Sequence, residues 1–275
     1  MEMKRTSIED MNDLPQIIYK YRSWKDDNHK KIISEQEVFM AKPTSFEDLL
    51  DCKLQKRYDL LTNKDIYNKY LEDSKRENST LSRQQHRKYA MECFKKSAMR
   101  NKKYVKEVQN EQFLEFDKRF GVLSLTANPQ RTEMWEKYSD KHQGFCVGFD
   151  PKKMFNYLGG GGKVLYYDKL PDISPFDDFD EERTKQVFSK EEKWSFEEEY
   201  RTHKFYPNET TDEDRKIKLP IECFKEIIFG AYMPQDYKQQ IISICKKKNL
   251  PVEFFSVVIT ENELQINKYN TKNHI

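Results

Sequence analysis

The sequence predicts an α+β protein built around an antiparallel or mixed β-sheet. About nine short segments of strand character are spread along its 275 residues, and helical periodicity is concentrated in one block at about residues 54–118. Helices that cluster in a block, rather than alternating with strands, favour an α+β fold over a doubly wound one. No Pro- or Ser-rich linker divides the chain, so we expect a single domain spanning residues 1–275 with a helical insertion.

The first predicted strand runs from Ile17 to Trp24. Side chains alternate along a strand, so Tyr19 and Tyr21 should lie on one face and Lys20 and Arg22 on the other. The two cations are candidates for ligand contact or, alternatively, solvated strand charges. Further strands are expected at residues 38–40, 121–126, 144–149, 163–167, 196–201, 217–220, 226–230, 252–258 and 264–269.

The helical block carries a basic segment from Arg83 to Lys106, with nine Lys or Arg residues and one acid, Glu92. Ser82 with Gln85 resembles a capping box that begins this helix. Aromatic residues interleaved with the cations permit phosphate contacts and base stacking, so the segment is a candidate nucleic-acid surface. The alternative is a solvated helix face whose aromatic residues point inward.

The stretch FEEEYR at 196–201 is the most informative part of the sequence. As a strand it would place Glu197, Glu199 and Arg201 on one face, roughly 6.5 to 7 Å apart. A row of two carboxylates ending in a guanidinium is costly to bury for stability alone. It suits chemistry on glycosidic bonds, which uses paired carboxylates. An exposed edge strand with solvated charges is the alternative.

Composition argues against several classes of protein. The formal net charge of +2 does not indicate a polyanion partner for the whole molecule. Five scattered cysteines without a C-x-x-C pair, and five histidines without ligand spacing, argue against disulfides and metal sites. The four glycines at 159–162 are expected to form a flexible turn. The first residues lack an apolar leader segment and no run of 18 apolar residues occurs, so we expect a soluble, cytoplasmic protein without membrane association.

Six blocks, taken in order, resemble the bacterial domain-of-unknown-function family 2971. They are YKYRS (19–23), SFEDLLD (45–51), GVLSLT (121–126), WEKYSDKHQGFCVGFD (135–150), KWSFEEEYR (193–201) and EIIFGAYM (226–233). The family is placed in the ADP-ribosyltransferase-like superfamily, which implies a split β-sheet and a cleft that holds NAD. Where relatives usually read SFNDPFD, this chain reads SFEDLLD, so Asp48 and Asp51 are expected mainly to form a turn, and no metal is expected.

The resemblance implies an arginine–serine–glutamate site. Glu199 would hold the ribose hydroxyl and stabilise positive charge, and Glu197 would orient or deprotonate the acceptor. Arg22, or Lys20 beside it, would bind the diphosphate, because a guanidinium binds phosphate through two hydrogen bonds. Tyr21 lies between these two cations and is a further candidate for contact with NAD.

Four more side chains complete the candidate NAD-binding set. Ser124 and Thr126 would bond the nicotinamide ribose or brace Glu199. Trp135 and Tyr138 lie at i and i+3 on one helical turn and are either core residues or a stacking wall. Arg201 would neutralise the glutamates, or touch the acceptor.

These residues together predict an NAD-dependent mono-ADP-ribosyltransferase of toxin or phage-defence type. Its acceptor would be a protein or a nucleic acid, the latter held through Arg83–Lys106. The alternative is a non-catalytic module that keeps the fold and binds a nucleotide or nucleic acid.

Overall fold

The computed structural model describes residues 14–261 and 263–271, which contain twelve β-strands and eight α-helices. The strands are β1 (Ile18–Arg22), β2 (Glu37–Phe39), β3 (Phe120–Thr126), β4 (Phe145–Phe149), β5 (Gly162–Lys163), β6 (Leu165–Tyr167), β7 (Ser189–Glu191), β8 (Glu199–Phe205), β9 (Lys216–Lys218), β10 (Phe224–Phe229), β11 (Glu253–Ile259) and β12 (Leu264–Lys268). The helices are α1 (Asp27–Ser34), α2 (Asn63–Glu77), α3 (Arg83–Lys96), α4 (Lys102–Arg119), α5 (Thr132–Tyr138), α6 (Pro151–Leu158), α7 (Phe179–Phe188) and α8 (Gln235–Lys247).

Eight strands form the main sheet in the order β12-β11-β10-β4-β1-β3-β8-β5. β10 and β11 run parallel, whereas the other neighbours run antiparallel. Two small sheets, β2-β9 and β6-β7, accompany it. The predicted α+β class with a mixed sheet is therefore confirmed.

The contact between β1 and β3 is short. Among the described residues these strands pair at one position, Tyr19 with Thr126, whereas β1 and β4 pair along five positions. On its other side β3 pairs with β8 along its full length, with Ser124 opposite Arg201 and Thr126 opposite Glu199. The sheet thus has a weak junction in its middle, and the strands that carry the candidate residues lie on both sides of it.

The predicted helical insertion consists of α2, α3 and α4, between β2 and β3. The helices begin at Asn63 rather than at residue 54, because Thr62 caps the first turn with Asp65 in a capping box. The predicted capping box of Ser82 and Gln85 begins α3. No helix in the described part of the chain is both long enough and apolar enough to cross a membrane.

The glutamate strand is shorter than predicted. Residues 192–197 form a 3-10 helix, Glu198 has a left-handed backbone with φ of 43°, and β8 begins at Glu199. The expectation of one continuous strand over 196–201 is wrong. In the preceding segment α7 ends at Phe188, and Lys190 lies in strand β7.

Candidate functional site

A cleft of about 450 Å³ opens where β1 and β3 separate. Its walls come from β1, β3, the loop at 45–51, the end of α5 and the segment leading into β8. Arg22 and Glu199 both line this cleft, as the sequence analysis requires. The other predicted residues on its walls are Lys20, Tyr21, Ser124, Thr126, Tyr138 and Glu197.

Strand β1 contributes two cations to the cleft. Lys20 and Arg22 are half-buried and, within the described residues, neither forms a direct ion pair with a carboxylate. Lys20 Nζ donates to the carbonyl oxygen of Ser124 at 2.5 Å, and the Arg22 guanidinium donates to the carbonyl oxygen of Tyr21 at 3.3 Å. Burial and the neighbouring Arg22 lower the pKa of Lys20 to about 7, and burial lowers the pKa of Arg22 to about 10. Both groups would gain by meeting an anion.

Two of the carboxylates that line the cleft, Glu199 and Asp51, pair with Arg201, which is 1% exposed. Its Nε and one terminal nitrogen donate to the two oxygens of Glu199 at 2.7 and 2.8 Å. Its terminal nitrogens also donate to both oxygens of Asp51 at 2.7 Å each. The predicted pairing of Arg201 with Glu199 is thus present. The expectation that Asp51 mainly forms a turn is wrong, because Asp51 is a buried ion-pair partner of Arg201. Asp48 does form the turn, and its carboxylate accepts from the Leu50 N–H at 3.1 Å.

Lys190 joins the two glutamates. Its ammonium donates to Glu197 Oε2 in a short contact and lies 3.2 Å from Glu199 Oε2. Burial opposes its charge, but Glu199 and Glu197 together raise the pKa of Lys190 above its usual value. Burial alone would raise the pKa of Glu199, yet Arg201 and Lys190 outweigh it and lower that pKa to about 2. Glu199 is therefore a carboxylate at neutral pH, although it is only 3% exposed.

These contacts define an acidic cluster of five buried side chains with one surplus negative charge. Its members are Asp51, Lys190, Glu197, Glu199 and Arg201, three formal anions and two formal cations. The surplus lies at the cleft, because Asp51, Glu197 and Glu199 all line it.

Two hydroxyl groups of β3 lie beside the cluster. The Ser124 side chain lies close enough to Glu199 to help lower the pKa of that carboxyl. Thr126 lies opposite Glu199 in the strand register, but it is buried and its Oγ1 accepts from the Asn128 N–H at 3.1 Å. Ser124 is thus the better placed of the two for contact with a ligand.

The aromatic side chains divide between core and cleft. Trp135 is fully buried, packs edge-on against Tyr21 with ring centres 4.9 Å apart and does not line the cleft. The stacking-wall interpretation is wrong for Trp135, because an apolar pocket under α5 encloses its ring. Tyr138, on the same helix, lines the cleft and donates its hydroxyl to Glu197 Oε1 at 2.7 Å. Tyr21 forms part of the cleft wall and donates to the Asn128 carbonyl at 3.2 Å.

Lys190, Trp194 and Phe46 are among the cleft residues that the sequence analysis did not predict. Trp194 stands among cations, with Lys137 Nζ 4.1 Å and Lys190 Nζ 5.1 Å from its ring centre. The signal for Trp194 was its place in the same block as the glutamates, KWSFEEEYR. Nothing local marked Lys190, because only the fold brings β7 against β8.

Metal coordination has no candidate in the described chain. Over residues 14–261 and 263–271, no group of three or more His, Cys, Asp or Glu side chains is arranged to hold a metal ion. His29, the one histidine lining the cleft, has its pKa lowered to about 4 by burial and by Arg22.

A family model matches part of the chain. The family described as protein of unknown function DUF2971 matches residues 134–202, about a quarter of the chain. This stretch contains Tyr138, Lys190, Glu197, Glu199 and Arg201, so it covers most of the acidic cluster and supports the resemblance seen in the sequence. The two cations on β1, Lys20 and Arg22, lie outside it. No curated protein and no solved structure matches the chain.

Proposed function

We propose that this protein is an NAD-dependent mono-ADP-ribosyltransferase whose site is the cleft between β1 and β3. The observation that carries the proposal is that two cations without an ion-pair partner, Lys20 and Arg22, and three buried carboxylates, Asp51, Glu197 and Glu199, line the same cleft. NAD has groups that suit both sets of charges. Its diphosphate is anionic, and its nicotinamide ribose gains positive charge as the glycosidic bond breaks.

The reaction assigns a role to each set of charges. The bond between ribose C1′ and the nicotinamide nitrogen breaks, and its electron pair leaves with nicotinamide. A nucleophilic oxygen or nitrogen of the acceptor then bonds to C1′ and gives up its proton. Glu199 stabilises the oxocarbenium-like transition state, because it is ionised and shielded from water. Glu197 is the candidate to orient or deprotonate the acceptor, since Glu197 also lines the cleft.

The split sheet expected of the ADP-ribosyltransferase-like type belongs to this proposal. Its support is the single residue pair between β1 and β3 and the cleft at that junction. The cleft volume of about 450 Å³ falls in the range of roughly 300 to 1,000 Å³ usual for small-molecule sites. Phe46, Tyr138 and Trp194 supply aromatic surface on its walls for a ring such as nicotinamide.

The test is release of nicotinamide from NAD and transfer of labelled ADP-ribose to macromolecules of a cell lysate. Glu199→Gln should abolish both, and Arg22→Gln should raise KM for NAD. Glu198→Gln is the matched control, because Glu198 is the adjacent residue and pairs outside the cleft with Arg131 at 3.1 Å. No release and no transfer by the unmodified protein would count against the proposal.

A non-catalytic nucleotide-binding module is the second candidate, favoured by one observation. Both oxygens of Glu199 already accept hydrogen bonds from Arg201 or Lys190, as in a purely structural ion pair. Such a module would bind NAD without releasing nicotinamide. In that case the unmodified protein would show no NAD turnover, and Glu199→Gln would lower only the free energy of unfolding.

A further inference from the structure

A long groove lies on the other side of the loop that walls the cleft. It consists of two adjoining hollows of about 580 and 720 Å³ that share Gln55, Lys56, Arg57, Gln109 and Asn110. Helix α4 forms one side, and the segments 49–59, 169–172 and 179–186 form the other. We call the two hollows together the α4 groove.

The α4 groove is strongly basic. Eight Lys or Arg side chains line it against three Asp or Glu. This excess of five positive charges exceeds the net charge of +2 of the whole chain, so the rest of the protein is net negative. Five of the cations form no ion pair within the described residues. They are Lys53, Arg100, Lys102, Lys106 and Lys169.

The remaining lining suits the bases of a nucleic acid better than an acidic peptide. Five amide side chains line the groove, and Gln109 Oε1 is buried with no hydrogen-bond partner in the part of the chain described. Amides can both donate to and accept from base edges. Tyr58, Phe113 and Phe179 add aromatic surface, and Phe179 is 53% exposed. Aromatic surface beside a cationic track is what single strands use for stacking.

One loop connects the groove with the cleft. Residues 45–48 and Asp51 line the cleft, whereas Leu49, Leu50 and Cys52 line the groove. Leu49 is 79% exposed, so the loop crest between the two is open to solvent. A chain lying in the groove therefore reaches the cleft by crossing a single loop.

We propose that the α4 groove binds single-stranded nucleic acid and presents it to the cleft as the acceptor of ADP-ribose. The acceptor role rests on the proposed function, whereas binding in the groove does not. In the transfer, a base or sugar nucleophile of the strand bonds to ribose C1′ of NAD as nicotinamide leaves. The proton of the nucleophile passes to solvent, and no further reactant is needed.

Binding is measured by fluorescence anisotropy with a short labelled single-stranded RNA at two salt concentrations. Five unpaired cations predict a slope of about −3.5 in log affinity against log salt, and about −1.4 after Arg100→Gln, Lys102→Gln and Lys106→Gln are combined. Between about 50 and 200 mM salt, affinity should fall roughly 100-fold for the unmodified protein and roughly 7-fold for this triple variant. The matched control combines Lys246→Gln, Lys247→Gln and Lys248→Gln at the exposed end of α8 and keeps the full slope.

A second experiment adds NAD labelled in its adenylate to the same RNA. Label on the RNA that the groove variant loses and the α8 control keeps supports the acceptor role. Absence of salt-dependent binding, or equal binding by the two triple variants, overturns the proposal that the α4 groove binds single-stranded nucleic acid. Label on lysate proteins with none on RNA overturns the acceptor role. Groove-dependent RNA binding without any nicotinamide release supports nucleic-acid binding by the α4 groove and counts against the proposed transferase activity. Failure of the groove proposal and failure of the proposed function therefore give different results.

Discussion

The acidic cluster makes a strong prediction for the substitution Asp51→Asn. Asp51 accepts two charge-assisted hydrogen bonds from Arg201 at 2.7 Å and lies 3.6 Å from Lys190 Nζ. A hydrogen bond to a charged group contributes about 1.5 to 3 kcal/mol, and a buried donor left without a partner costs about 1 to 3 kcal/mol. Asparagine keeps one acceptor oxygen and leaves the cluster with balanced charge, so we expect the loss of one such bond, about 3 kcal/mol in the free energy of unfolding.

Urea denaturation followed by circular dichroism measures this loss. The entropy of unfolding of a chain of this length is roughly 0.6 kcal/mol per kelvin, so about 3 kcal/mol corresponds to a fall of about 5 °C in Tm. Glu47→Gln is the control on the same loop. Its carboxylate is 74% exposed and 2.8 Å from Lys137, so its loss should cost less than about 1 kcal/mol. A cost below about 1 kcal/mol for Asp51→Asn would refute the assignment of Asp51 to a buried ion pair.

Two further predictions concern Lys20 and Arg215. Burial and Arg22 lower the pKa of Lys20 to about 7, and a bound anion favours the ammonium, so affinity for ADP-ribose should fall about tenfold from about pH 6 to 8. Titrations at both pH values check this, and a Lys20→Met variant that kept the same pH dependence would contradict it. Arg215 is fully buried, and its guanidinium donates to four backbone carbonyls, including that of Phe120 at 2.6 Å. Arg215→Met should therefore lower the unfolding free energy by at least about 3 kcal/mol in urea, and a cost under about 1 kcal/mol would contradict this.

Local pattern was enough to predict the strands that carry the cleft. The alternation at 19–22 gave buried tyrosines and half-buried cations, as observed on β1. The Ser and Thr of GVLSLT lie on β3 with the register that puts Ser124 opposite Arg201. Strand periodicity is a short-range property, so one sequence contains the information needed.

The segment before β8 was not predictable in the same way. Phe196 to Glu198 have strand-like alternation, but the chain turns at Glu198 so that Glu197 can meet Lys190 and Tyr138. A tertiary interaction has overridden a local preference. Glu197 and Glu199 are buried, so the exposed edge strand that the sequence left open as an alternative is not what the structure has.

Contacts between distant segments could not be predicted from the sequence. Asp51 lies 150 positions from Arg201, and nothing in SFEDLLD marks which aspartate is buried. Two of the three tryptophans illustrate the same limit. Trp135 lies in the core and Trp194 lines the cleft, although both stand near charged residues in the sequence. Side-chain burial at such positions depends on how the elements pack.

Calorimetric titration of NAD into the unmodified protein and into Arg22→Gln tests whether the cleft binds NAD through Arg22. We expect one bound NAD per chain and a roughly 10- to 150-fold weaker affinity for the variant, because it loses charge-assisted hydrogen bonds of about 1.5 to 3 kcal/mol. Arg131→Gln, an exposed arginine outside the cleft, should bind as the unmodified protein does. No binding of NAD by the unmodified protein, or equal affinity of the Arg22→Gln variant, would contradict the assignment of the cleft as an NAD site.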